Sequence, residues 1–229
     1  MIKHCFFDKN CKIDRELADH GDLKMHLQEK DWQCDAINFV NQIHSDEVVV
    51  IDDFSKIHAV QGLPKADAIV TNQEKLAIAI VTADCAPVVL KDQKSGVLAV
   101  VHAGWRGAKN GIIQNSVKAM IELGSDIESI EAFIGPMIHQ NSYQVSQEFY
   151  DDFLADDSNH DRFFKEDIEE GRHLFDLVAF VEAILKSCDV SKIESSEIDT
   201  YKDCNYSSYR RSCHESADLS GRNVSIALL

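Results

Sequence analysis

Three apolar runs follow one another closely in the first half of this 229-residue chain, and they dictate most of what it can become. Ala68–Thr71, Leu76–Thr82 and Val97–His102 are built almost wholly from Val, Ile, Leu and Ala. A strand with one wet face alternates apolar and polar residues, whereas runs like these read as strands covered on both sides. Ile37, Phe39 and the run Val48–Ile51 read as two more strands, flanking Asn41-Gln42-Ile43-His44-Ser45. Gln61-Gly62-Leu63-Pro64 reads as a turn. After Gly107 the period changes: Ile113, Val117, Met120 and Ile121 fall on one helical face, with Gly124 placed to end the helix.

Further on, Ile130–Ile134 is a short strand stopped by Gly135-Pro136. Ser146 is positioned to cap a helix carrying Phe149, Tyr150, Phe153 and Leu154, and Asp176 to cap a second with Leu177, Val181, Ile184 and Cys188 on one face. The acidic stretch Asp156–Glu170 reads as an exposed loop or solvated helix, and the alternation Val224, Ile226, Leu228 as a closing strand. Helices and strands interleave without repeats or a Pro/Gly/Ser linker. The expectation is one mixed α/β domain over residues 1–229, preceded by a polar, weakly patterned segment at 1–35.

The charge narrows the partners. With 23 basic and 39 acidic residues the formal net charge is −16, which repels phosphate backbones and anionic lipid and argues against nucleic acid or a membrane as partner. The opening residues MIKHCFFDKNCKIDRE contain no apolar run before a small-residue cleavage site, so no secretory signal is read there. Seven cysteines, odd in number and irregular in spacing, argue for reduced thiols in a cytoplasmic protein.

Three places break the rules of their surroundings. His44 sits between two apolar strands. Thr82-Ala83-Asp84-Cys85 ends a buried-looking strand in a carboxylate and a thiol. Val101-His102-Ala103-Gly104-Trp105-Arg106-Gly107 ends another in an imidazole and runs through glycines into a helix. Polar groups at the ends of buried strands are where α/β proteins place function. Two imidazoles and a thiolate also match the three-ligand count of a catalytic zinc. Yet the candidate ligands lie far apart in sequence, and a lone Cys or His at a strand end is more often a core or structural residue than a ligand. Spacing alone leaves both readings open. Trp105 and the aromatic faces near Phe149 and Phe180 read as packing.

The ordered pieces Gln42-Ile43-His44, Ala66–Thr71, Thr82–Val88, Val101–Gly107, Ile134-Gly135-Pro136 with Tyr143-Gln144-Val145, Ser208-Tyr209-Arg210-Arg211 and Gly221-Arg222 resemble the YfiH-like, laccase-domain (DUF152) proteins. These are also known as polyphenol-oxidase-like or purine nucleoside phosphorylase family proteins. The resemblance covers about residues 36 to 229. It implies an α/β/β/α sandwich of mixed sheets, similar to the catalytic domain of cytotoxic necrotizing factor, with His44, Cys85 and His102 as zinc ligands. It further implies purine nucleoside phosphorolysis, with adenosine deamination and methylthioadenosine phosphorolysis beside it. Copper is the second candidate metal, ranked lower because one Cys and two His are too few for the several copper sites of a laccase. The chain departs from the family at its front, where residues 1–35 hold neither the Arg-Gly-Gly segment nor the Asn-Arg pair usual there, and at Asp199, which stands where the family commonly has Cys.

These readings assign roles. Purine nucleosides and phosphate are the expected substrates, Arg106 the phosphate contact beside the metal-bearing strand end, and Gln42 and Arg210 further substrate contacts. Asp84 is expected to orient a ligand histidine or carry a proton, and His139 to lie in an exposed loop. One alternative makes Cys85 a nucleophile and His102 its base in a metal-free amide hydrolase or deamidase, such as one editing cell-wall precursors. The other is a zinc-binding protein without catalysis.

Overall fold

The apolar runs are strands, and they lie in two sheets stacked face to face, which is why both of their faces are apolar. A computed structural model describes residues 1–11, 21–57, 62–216 and 221–229. The first part of the chain forms β1 (Lys3–Phe7), α1 (Gly21–Glu29), β2 (Ala36–Asn38), β3 (Val48–Ile51), β4 (Ala68–Thr71), β5 (Leu76–Thr82), β6 (Ala86–Asp92) and β7 (Val97–Ala103). Next come α2 (Trp105–Asn110), α3 (Ile112–Glu122), β8 (Glu131–Ile134), β9 (Gln144–Ser146) and α4 (Gln147–Asp156). The last elements are β10 (Phe164–Glu166), β11 (Arg172–Phe175), α5 (Leu177–Ser187), β12 (Lys192–Ser195), α6 (Tyr209–Glu215) and β13 (Asn223–Leu228).

The larger sheet has the order β12-β8-β6-β7-β4-β3 and the smaller β1-β13-β5-β2, while β10-β11-β9 form a separate three-stranded sheet. Both main sheets are mixed: β3 with β4, β12 with β8 and β2 with β5 pair in parallel, the other neighbours antiparallel. The period of two sorts each strand between two cores. Leu76, Ile78 and Ile80 of β5 meet Ile69, Val89, Leu98 and Val100 of the larger sheet. Ala77, Ala79 and Val81 face the other way and lie with Val224 and Ile226 under Leu23 and Leu27 of α1. On the far side of the larger sheet, Val70, Val88, Leu90 and Val101 pack against Ile113 and Met120 of α3 and Val181 and Leu185 of α5. The result is the expected α/β/β/α sandwich of mixed sheets.

The helix signals hold in detail. Ser146 accepts the Phe149 N–H at 3.2 Å and Asp176 accepts the Ala179 N–H at 2.9 Å. Gly124, with φ of 104°, stands just past α3 and takes the left-handed backbone that favours glycine. Four details differ. Ile121 is 46% exposed, because α3 turns that position to solvent. Asp156–Glu170 is neither loop nor helix throughout: a 3-10 segment at Ser158–Phe163 buries Phe163, and β10 follows. β6 carries no strand signal in the sequence, since Pro87 is its second residue and Lys91-Asp92 closes it. Finally, the weakly patterned front supplies the edge strand β1 and the covering helix α1. Of the Gln61–Pro64 turn, Gln61 lies outside the described residues. No helix among the described residues is long and apolar enough to cross a membrane. Burying an unpartnered polar group in such cores costs roughly 2–7 kcal/mol, so polar residues gather at strand ends.

Candidate metal centre

Strand parity decides which side chains reach the site. Leu98 and Val100 of β7 face the smaller sheet, so His102 faces the same way. Val89 of β6 does likewise, and Cys85 shares its parity in the turn that precedes the strand. Pro87 stands opposite His102 in register, which brings Cys85 beside the end of β7. His44 arrives from the loop between β2 and β3. Ligating atoms of His44, Cys85 and His102 all lie within 4.8 Å of one another. Cys85 Sγ is 3.9 Å from His44 Nε2, and the two imidazoles meet edge to face with centroids 4.8 Å apart. His102 is buried, Cys85 half-buried and His44 exposed, so the cluster opens to solvent on the His44 side.

One carboxylate holds this arrangement. His44 has φ of 60°, a left-handed conformation that costs a residue with a side chain about 1–2 kcal/mol. Asp67, fully buried just before β4, accepts the backbone N–H groups of Ile43 at 3.2 Å, His44 at 2.9 Å and Ser45 at 2.6 Å. It also accepts the Ser45 hydroxyl at 2.8 Å and Nδ1 of His102 at 2.7 Å. With a carboxylate as partner, Nδ1 carries the ring proton, and Nε2 is left for the cluster. Burial raises the Asp67 carboxyl, but the hydrogen bonds from His102 and Ser45 outweigh it and hold it at about 2. A single side chain thus fixes the loop of one imidazole and the tautomer of the other.

The electrostatics favour a thiolate. Burial pushes the Cys85 thiol up, yet the charge of His102 and hydrogen bonds from both histidines bring it down to about 6. In His102 burial lowers the imidazole, while Cys85 and Asp67 together raise it to about 9. At neutral pH Cys85 is therefore ionised, the form that binds a metal or attacks an electrophile. Glycine gives these groups room. A Cβ on Gly104 would stand 2.9 Å from Cys85 Sγ and 3.1 Å from His44 Cδ2, and one on Gly107 only 2.8 Å from the Ser45 carbonyl oxygen.

The cluster forms one wall of a pocket of about 450 Å³, lined also by Gln42, Val81, Thr82, Ala83, Tyr209 and Arg222. That is within the roughly 300–1,000 Å³ of small-molecule sites. Gln42 lines it as expected, but its amide donates to the Val81 carbonyl at 2.7 Å and accepts the Val81 N–H at 3.0 Å. The side chain thereby extends the β2–β5 ladder. Asp84 does not touch a ligand histidine. With φ of 82° it turns towards the C-terminal region and accepts from Thr200 Oγ1 at 2.7 Å, Ser208 Oγ at 3.0 Å and Arg210 N at 2.7 Å. Asp67 takes the part expected of it.

Arg106 is exposed and stacked over Trp105, 5.0 Å from the ring centroid, away from the pocket wall. Arg210 donates to the Gln144 carbonyl at 2.7 Å and lies over Tyr143, also outside the pocket. Arg211 gathers the carbonyls of Thr200, Tyr201 and Tyr206, which makes the Ser208–Arg211 motif mainly architectural. His139 is half-buried, and its Nε2 is enclosed without a partner, so it is less exposed than expected. Asp67, Tyr209 and Arg222 are the site residues the sequence reading missed. The available signal for Asp67 was a lone carboxylate at the mouth of a wholly apolar strand.

With this geometry in place, known proteins provide context. The family model described as multi-copper polyphenol oxidoreductase laccase matches residues 18–229. A purine nucleoside phosphorylase of Rickettsia prowazekii is 41% identical over 184 residues, covering 80% of this chain and 74% of its own. A protein named adenosine deaminase, from an unknown prokaryotic organism, is 31% identical over 179 residues, 76% of this chain and 68% of its own. Among solved structures, a Neisseria meningitidis protein of the DUF152 family superposes with a TM-score of 0.74 at 31% identity, over 91% of this chain and 79% of that one. YfiH of Bacillus licheniformis gives a TM-score of 0.86 over 100% of this chain and 92% of its own, and at 23% identity this likeness concerns the fold.

Proposed function

The chain belongs to the laccase-domain family whose model spans residues 18–229, and from that premise we propose that it is a zinc-dependent enzyme acting on purine nucleosides. Phosphorolysis is its main reaction, with adenosine deamination and methylthioadenosine phosphorolysis beside it. The observation that carries the reading is the convergence of two imidazoles and a thiolate within 4.8 Å at the wall of a nucleoside-sized pocket. Relatives named purine nucleoside phosphorylase and adenosine deaminase support the substrate class.

The donor set fits zinc. Bonds of roughly 2.0–2.3 Å to a tetrahedral ion place its ligand atoms roughly 3.5 Å apart, close to the 3.9 Å between Cys85 Sγ and His44 Nε2. A multicopper oxidase needs several copper sites, whereas one such group of donors exists among the described residues. Zinc, when bound, supplies a Lewis acid that polarises an oxygen of water, phosphate or substrate. The chain's own residues do the rest. His44, Cys85 and His102 hold the ion, Asp67 keeps the proton on Nδ1 of His102, and Gly104 keeps space in front of the thiolate. Phosphorolysis breaks the C1′–N bond of the nucleoside, places a phosphate oxygen on C1′ and returns the electron pair to the departing base.

The ionised Cys85 beside a protonated His102 also favours a second reading, a thiol-dependent amide hydrolase or deamidase. Incubating the purified protein with inosine or adenosine, with and without phosphate, separates the two. Hypoxanthine and ribose 1-phosphate formed only with phosphate, or ammonia released from adenosine, are the expected products. Absence of all three, with hydrolysis of amide substrates that survives chelation, would establish the second reading.

A further inference from the structure

The pocket wall holds one phenol ring, that of Tyr209, and no Asp or Glu among the described residues that line it. Gln42 is bonded at both ends to the Val81 backbone, so its amide is already paired. Val81 and Ala83 add apolar surface. Elsewhere in the chain large rings pack on one another. Trp105, Phe149, Phe153 and Phe175 meet with centroids 4.8 to 6.1 Å apart. Tyr209 meets no other ring among the described residues and is 54% exposed. Its ring therefore stands open at the wall of a pocket, where an aromatic face is available to a ligand.

The backbone that carries this ring is fixed, and it is tied to the metal-binding turn. Ser208 and Arg210, the residues on either side of Tyr209, are both held by Asp84, which accepts from Ser208 Oγ at 3.0 Å and from Arg210 N at 2.7 Å. Ser208 Oγ in turn accepts the Arg211 N–H at 3.1 Å and caps α6. The guanidinium of Arg210 is anchored on the Gln144 carbonyl, and that of Arg211 on the carbonyls of Thr200 and Tyr201. Asp84 immediately precedes Cys85 and keeps φ of 82°, a left-handed backbone that side chains disfavour and that persists where its surroundings over-determine it. One peptide link thus joins the thiolate of the cluster to the carboxylate that clamps both neighbours of Tyr209. A tyrosine has two side-chain torsions, so on a fixed backbone it loses little freedom when a flat ligand settles on it.

We propose that Tyr209 is the base platform of the pocket: the purine stacks on its ring, leaving the reacting end of the nucleoside toward the His44–Cys85–His102 cluster. The assignment rests on the purine nucleoside reading of that pocket and deepens it. Stacking uses the ring face that all purines share, not the edge groups by which they differ. Inosine and adenosine are therefore held alike at this position.

The test measures inosine and adenosine KM at saturating phosphate, and phosphate KM at saturating inosine, on wild type, Y209A, Y209L, Y209F and Y209W. Thermal melting selects the variants that are folded, and calorimetric titration with inosine in the absence of phosphate reads binding apart from turnover. Y209A is expected to raise both nucleoside KM values at least about five-fold, the smaller end of what a base stacked on an aromatic ring contributes. The two factors should be similar, and the phosphate KM should move less. Y209F and Y209W keep a ring and should recover most of the loss, whereas Y209L keeps bulk without a ring and should not. A folded Y209A with unchanged nucleoside KM values, or a Y209L that matches Y209F, overturns the assignment. If wild type turns over no nucleoside, the phosphorylase reading fails on its own terms. Calorimetry then decides the platform: inosine heat that Y209A abolishes and Y209F retains upholds it, and its absence from wild type overturns it.

Discussion

Replacing Asp67 by Asn tests whether one buried carboxylate positions both histidines. The substitution keeps the size of the side chain and changes only its charge and one oxygen. In the native site Oδ1 accepts from His44 N and His102 Nδ1, and Oδ2 from Ile43 N, Ser45 N and Ser45 Oγ. Whichever way the amide is placed, its NH2 group faces at least two donors that have lost their acceptor. At about 1.5–3 kcal/mol for each of two hydrogen bonds to a charged group, the loss comes to about 3–6 kcal/mol. For a chain of this length that lowers the melting temperature by roughly 10 °C. The His44 loop loses the contacts that offset its left-handed backbone, and His102 is no longer held to one tautomer. Zinc affinity, read by competition with a chromophoric chelator, should fall about 10–100-fold. Asp67→Asn protein that melts with wild type and competes equally well for zinc would refute the reasoning.

Other consequences follow from neighbouring residues. Gly104→Ala places a methyl 2.9 Å from Cys85 Sγ, so zinc affinity should drop while the melting temperature of the metal-free protein changes little; equal affinity in the same competition assay would contradict the close approach. In metal-stripped protein, alkylation of Cys85 should fall off as pH drops through about 6, because the folded site lowers that thiol and only the thiolate reacts. Cys5, Cys34 and Cys188 are pushed up by burial and should label only at alkaline pH, as peptide mass spectrometry would read. Arg106→Ala should leave the phosphate KM within about two-fold, as expected for an exposed side chain outside the pocket; a large rise would return the phosphate contact to α2.

The sheets were legible because burial on two faces leaves a compositional mark. β4, β5 and β7 carry it plainly, and the capping residues Ser146 and Asp176 announced their helices. β6 hid because Pro87 and the closing Lys91-Asp92 resemble a turn, although Pro87 stands opposite His102 of the cluster. The polar front concealed β1 and α1, whose residues bury one side only. The three donors were nameable through the family's motifs but not through spacing, since separations of 41 and 17 residues acquire meaning only when strand register brings the ends together. Sequence neighbourhood misled most for the supporting residues. Arg106 and Asp84 adjoin ligands in the chain, but the start of α2 and a left-handed φ turn them away. Asp67 and Arg222, distant in sequence, are brought in by β4 and β13.

The most direct test of the central claim is metal content and inosine phosphorolysis measured on one preparation before and after chelation, with Cys85→Ala alongside. One zinc per chain, hypoxanthine release that chelation removes and added zinc restores, and a folded Cys85→Ala protein lacking both metal and activity are the predicted results. Phosphorolysis that persists in metal-free wild type, or in Cys85→Ala, would contradict the account.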